Sequence, residues 1–250
     1  GFIQCIQAQE KPEASPLEYP FDETGVETSR GVFGEDDRKE VKDVDGIADY
    51  VRATAVMIPK KNIKGNRVYG ETLRELLTYQ FGTNKFHPNV KFLDQPTCAY
   101  CTGFLIAPDM LVTAGHCIKT LEDAKDYVWV FDYTNELKHN LFLGYVEVDP
   151  NDIYEVKAIL GAELKSDYNN KTDYSVLQLD RKSWRHPYRF RTSGKVSNWG
   201  NVTTIGSPTG LPLKVADNSY VVDNTPNNWF KNSMDTFPGN SGGPVFNQNG

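Results

Sequence analysis

From Val51 onward the chain alternates short apolar runs with turn residues. "VRATAVMI" reads as a strand. "YGETLRELLTYQFG" places Leu73, Leu76 and Leu77 at helical spacing and predicts a short helix. A series of short strands follows: "TGFLIA", a "PD" turn and "MLVTA", then "YVWVFDY", "YEVKAIL", "YSVLQLD", "NVTTIG", "LPLKVA" and "SYVVDN". Many short strands separated by turn signals predict an all-β sandwich or barrel rather than βαβ units. The segment before this texture differs. Residues 7–30 are polar and acidic, with three prolines and no period, and read as a leader or as a strap over the surface. The chain shows no internal repeat.

Composition narrows the function. In a chain of 250 residues, 39% hydrophobic content is enough for a core, and a net charge of −6 argues against nucleic-acid binding, which needs a basic face. No apolar run approaches the ~20 residues that span a bilayer. The opening "GFIQCIQAQE" lacks the basic start and long apolar stretch of a whole signal peptide.

Only four histidines occur, and one of them, His116, stands in "MLVTAGHCI", where small residues follow a strand. Such a setting lets an imidazole stand clear of the backbone. His87, His139 and His186 have no comparable setting. Near the C-terminus "PGNSGGP" puts Ser241 on a glycine-rich turn, where the amides of Gly239 and Ser241 can converge on one oxyanion. Hydroxyl nucleophiles also need an acid that orients the histidine. Asp173, at the start of "DYSVLQLD", is the best candidate. Ser175, Leu177 and Leu179 alternate there with Tyr174, Val176 and Gln178, and so suggest one buried face. Asp149, Asp152 and Asp167 lie in turn-rich stretches without that geometry. Cys101 and Cys117 are 117 − 101 = 16 residues apart and bracket the hairpin that leads to His116. A disulfide there would pin the histidine turn and imply an oxidising compartment. Histidines and cysteines lack zinc-ligand spacing, so no metal is expected.

"TAGHC", "DYSVLQL" and "GNSGGP", in the order His, Asp, Ser, resemble the trypsin-like (chymotrypsin-fold) serine endopeptidases, and the Cys101–Cys117 spacing is similar to that family's histidine-loop disulfide. "GVFGEDDRKEV", "GSPTGLPLK" and "DTFPGNSGGPVFN" resemble the secreted bacterial branch that includes the glutamyl endopeptidases. The resemblance spans roughly Gly31 to Gly250, with an unfamiliar insertion around residues 61–95. It implies two six-stranded antiparallel β-barrels with the active site in the cleft between them. The expected division is a leader or propeptide over 1–30, an N-terminal barrel over 31–180 and a C-terminal barrel over 181–250. The second barrel would be incomplete, because the chain runs only 250 − 241 = 9 residues past Ser241. It implies a secreted or periplasmic serine endopeptidase with catalytic His116, Asp173 and Ser241 and an oxyanion hole at Gly239 and Ser241. Polypeptide substrates, no cofactor and a monomer go with that reading. The rival reading is a catalytically silent homologue that binds a partner, although no triad residue is lost. An α/β-hydrolase is excluded by chain order, which in that fold runs Ser, acid, His.

Several positions around Ser241 bear on regulation and specificity. Asn240 precedes the nucleophile, where many animal relatives carry an aspartate that pairs with the newly cut N-terminus. Cleavage after Arg30, exposing "GVFGEDDR", is expected in its place as the maturation step. Asp235 lies 241 − 235 = 6 positions before Ser241, where relatives that cut after Arg or Lys carry a pocket acid. Thr236 lies where glutamyl endopeptidases carry a hydroxyl for a substrate carboxylate. Asp235 and Thr236 are therefore the candidate pocket residues, with a slight lean to Arg or Lys over Glu. Phe237 replaces a common pocket cysteine, and Asp235 also reads as a simple turn cap. Cys98 has Cys5 as one candidate partner.

Overall fold

The computed structural model describes residues 32, 35–167 and 170–248; the leader read at 1–30, with Cys5 and Arg30, lies outside the described residues. The first half is a closed antiparallel barrel. Its strands are β1 (Thr54–Pro59), β2 (Cys101–Ala107), β3 (Met110–Thr113), β4 (Tyr127–Phe131), β5 and β6 (Asn170–Leu179). β5 consists of Ile153–Tyr154 and Val156–Asp167, with Glu155 between the two parts. Its first part pairs with β4 and its second with β6, and the order β4, β1, β2, β3, β6 runs between them. The sheet therefore meets itself through β5, and six strands close into a barrel without open edges.

Alternation explains the two buried faces of β1. Ala55 and Met57 point into the barrel with Leu105, Leu111, Trp129, Phe131, Leu177 and Leu179. Val56 and Ile58 point out and pack with Val130, Ile205, Leu213 and Val215, which joins the barrel to the second half. All six residues of β1 are buried. Each large side chain so buried contributes on the order of 1.5–3 kcal/mol.

The second half is built on β7 (Asn201–Gly206), β8 (Lys214–Asp223) and β9 (Val245–Asn247). The two-residue strand Lys39–Glu40 adds to the free side of β8, so the N-terminal end of the described chain becomes part of this sheet. "LPLKVA" and "SYVVDN", read as two strands, form the single strand β8. Its register against β7 shifts between Val202 and Thr204, and Asn218 takes φ +59°. This bulge broke the alternation on which the reading relied. A second correction concerns "VRATAVMI". Its first residues end the helix Ala48–Arg52, which buries Val51, and the strand starts only at Thr54. Short apolar runs do not distinguish a helical turn from a strand.

The predicted helix is present as Leu73–Phe81. Thr72 and Glu75 form a capping box, and Gly82 ends the helix in the left-handed region at φ +65°. Leu73 and Leu76 pack on Leu211 of the second half. The insertion thus lies against the half that carries Ser241. No helix among the described residues is long and apolar enough to cross a membrane.

Candidate active site

Two tight turns from different halves meet in one cleft. The first follows β3 and carries Gly115, His116 and Cys117. Gly115 is needed for close approach. A Cβ there would stand 2.6 Å from the Glu163 carbonyl oxygen and 3.1 Å from Asp173 Oδ1. With no side chain at 115, the turn settles on Glu163 of β5 and on Asp173 and Tyr174 inside β6, and Asp173 reaches His116 twice. Its Oδ1 accepts the His116 backbone N–H at 2.9 Å, and its Oδ2 lies 2.7 Å from Nδ1. The alternation read in "YSVLQL" holds, with Ser175, Leu177 and Leu179 buried. Cys101 and Cys117 form the disulfide, with a Cα separation of 6.3 Å. Cys98 is buried, and its thiol donates to the Tyr69 carbonyl oxygen at 3.0 Å.

The second turn carries Ser241. Its following residue, Gly242, has φ +82°, and a Cβ there would stand 2.4 Å from the Thr102 carbonyl oxygen and 2.6 Å from the Ala114 nitrogen. The Ser241 turn therefore presses directly against the barrel wall that holds His116. Ser241, His116 and Asp173 line the same open cleft, with Thr113 and Phe104 at its wall.

Thr102 is a site residue that the sequence reading missed. It is fully buried in β2, and its backbone N–H donates to the Ser241 carbonyl oxygen at 2.9 Å. Its hydroxyl donates to the Gly239 carbonyl oxygen at 2.7 Å and accepts the Ser207 N–H at 3.1 Å. One threonine of the first barrel thus fixes both ends of the Gly239–Ser241 turn. The available signal was a lone hydroxyl between Cys101 and Gly103 in an apolar strand. Asn240 donates its N–H back to the Phe237 carbonyl oxygen at 3.1 Å, which closes the turn from inside.

The sequence matches the trypsin-like peptidase domain over residues 101–250. The chain belongs to the trypsin-like peptidase family. No curated protein sequence matches it. Among solved structures, one of a Glu endopeptidase in complex with MPD is similar, with 16% identity and a TM-score of 0.53, covering 87% of this chain and 83% of that one. An inactive form of the Rv3671c protease shares 13% identity with a TM-score of 0.45, covering 82% and 76%. The first of these supports the antiparallel two-barrel fold.

In this trypsin-like peptidase the candidate pocket residues lie on the loop before Ser241. Asp235 is 2% exposed, and its Oδ2 accepts the Asp37 N–H at 3.0 Å. Thr236 is half-buried. Burial and the nearby Asp235 charge push the Asp37 carboxyl up to about 6. The sulfurs of Cys101 and Cys117 and a ring nitrogen of His116 lie within 4.8 Å of one another. Both sulfurs are consumed in the disulfide, so they offer no thiolate to a metal.

Proposed function

We propose that this protein is a serine endopeptidase acting on polypeptides. The observation that carries the reading is the double hold of Asp173 on His116 beside a cleft that also receives Ser241. In the proposed mechanism Ser241 Oγ attacks the scissile carbonyl carbon while His116 Nε2 takes the hydroxyl proton. Asp173 keeps the proton of Nδ1 facing itself and stabilises the imidazolium that forms. The negative charge that develops on the carbonyl oxygen is met by the Gly239 and Ser241 amides, which the hold of Thr102 on both residues keeps in place. His116 then returns its proton to the leaving amine. A water enters, gives a proton to His116 and attacks the acyl carbon; His116 passes that proton to Ser241 Oγ as the acyl–oxygen bond breaks, which releases the acid product and restores Ser241.

A disulfide directly behind the catalytic histidine supports function in an oxidising compartment, as a secreted or periplasmic protein. The reading also takes the enzyme to act as a monomer. Cleavage of a peptide library by the full-length protein tests the reading. Products should have internal cleavage sites and should vanish in Ser241→Ala. Equal product from the variant would refute it.

A further inference from the structure

The N-terminal segment Asp36–Glu40 is built into the half that carries the nucleophile. Asp235, six positions before Ser241, takes the Asp37 N–H on Oδ2 at 3.0 Å. The next residue, Arg38, is 7% exposed. Its guanidinium lies 4.2 Å from the ring centre of Phe237, two residues beyond Asp235, and 5.4 Å from that of Phe92 in the insertion. Asp36 holds the same guanidinium through its Nε at 2.8 Å. Lys91, also from the insertion, donates to the carbonyl oxygens of Asp36 and Arg38. Beyond Arg38, Lys39 pairs with Asp217 at 2.7 Å, and Glu40 accepts from Gln95 at 2.6 Å and from Lys214 at 3.1 Å.

An acid that selects a cationic substrate side chain must be reachable from solvent before substrate arrives. Asp235 has almost no exposed surface, and one of its oxygens is occupied by a backbone N–H. Its neighbour Phe237 forms the platform for Arg38, so the segment rests on both residues of one loop. We propose that Asp235 is a positioning residue: its carboxylate seats the Asp36–Arg38 segment on the loop before Ser241 and thereby sets that loop, and it does not bind the substrate side chain. The inference rests on the endopeptidase reading. It moves the choice of cleaved residue away from Asp235.

The test combines two measurements on the full-length protein. The first is kcat/KM on matched peptides with Arg, Glu or Ala at the cleaved residue. Asp235→Ala should lower all three by a similar factor, on the order of 10- to 100-fold, through misplacement of the loop. Asp235→Asn keeps an oxygen acceptor and should recover most of that loss on every substrate. A selective collapse on the Arg peptide in Asp235→Asn would overturn the proposal, because only a pocket acid depends on charge in that way. The second measurement is hydrogen exchange at the Asp37 amide. It should be protected in the wild type and in Asp235→Asn and should open in Asp235→Ala. An unprotected Asp37 amide in the wild type overturns the proposal without reference to any activity or variant. A protected amide in a protein that takes no fluorophosphonate label would sustain the seat while refuting the endopeptidase reading.

Discussion

Asp173 holds His116 by two atoms of one carboxylate, the backbone N–H on Oδ1 at 2.9 Å and Nδ1 on Oδ2 at 2.7 Å. The first bond fixes where the turn lies, and the second fixes which ring nitrogen carries the proton. Asp173→Asn keeps an oxygen for one of these bonds but offers an N–H to the other. The histidine is then driven to the wrong tautomer. The expected result is a fall in kcat of about 10⁴-fold with little change in folding. Steady-state kinetics beside a thermal melt would show it, and a loss below tenfold would argue against this role.

The contact between the two turns leaves no room at Gly242. A methyl group there would meet Thr113 Oγ1 at 2.3 Å and the Thr102 carbonyl oxygen at 2.4 Å, on a backbone at φ +82°. Gly242→Ala should therefore cost more than about 2 kcal/mol of stability and displace Ser241. Urea denaturation gives the first quantity, and the rate of fluorophosphonate labelling gives the second. A variant with unchanged midpoint and labelling rate would show that the turn is not wedged as described.

Closing a 16-residue loop, the Cys101–Cys117 disulfide should contribute about 3 kcal/mol. The double variant Cys101→Ser, Cys117→Ser should melt lower by a corresponding amount. It should also label more slowly, since Cys117 follows His116, the proposed general base. Equal stability with and without reductant would contradict the structural role.

Glu71 is 4% exposed, and burial, with the charge of Glu75, pushes its carboxyl up to about 7. An unfolded glutamate titrates near 4.3. The folded state therefore binds the proton more tightly, and this contribution to stability is full below about pH 4.3 and is lost as pH rises to about 7. Glu71→Gln removes that loss. Its stability relative to the wild type should rise between pH 4 and pH 8 by roughly 1–3 kcal/mol. A difference that does not change with pH would refute the buried titration.

Local motifs were legible because their chemistry is local. "TAGHC" and "GNSGGP" require glycines at close approaches, and the structure shows why at Gly115, against Glu163 and Asp173, and at Gly242, against Thr102, Thr113 and Ala114. The alternation around Ser175, Leu177 and Leu179 correctly gave a strand with one buried face, but it set Asp173 at the strand's start, whereas the strand begins at Asn170 and Asp173 lies inside it. The helix Leu73–Phe81 carried its period in sequence. Long-range pairings left no such mark. Thr102 acts on Gly239 and Ser241 across 137 and 139 positions of chain (239 − 102 and 241 − 102), and a threonine in a strand looks ordinary from its neighbours alone. The seat of Asp37 on Asp235 spans 198 positions and depends on a two-residue strand, Lys39–Glu40, too short to show a period. The bulge at Asn218 broke a single strand into two apparent ones.

The central claim is that Ser241 is a nucleophile activated by His116. The most direct measurement is labelling of the full-length protein with a fluorophosphonate probe, followed by peptide mapping of the modified residue. The account predicts one label on Ser241, lost in Ser241→Ala and slowed at least about 10³-fold in His116→Ala. Labelling at another residue, or equal labelling of Ser241 in the His116→Ala variant, would contradict it.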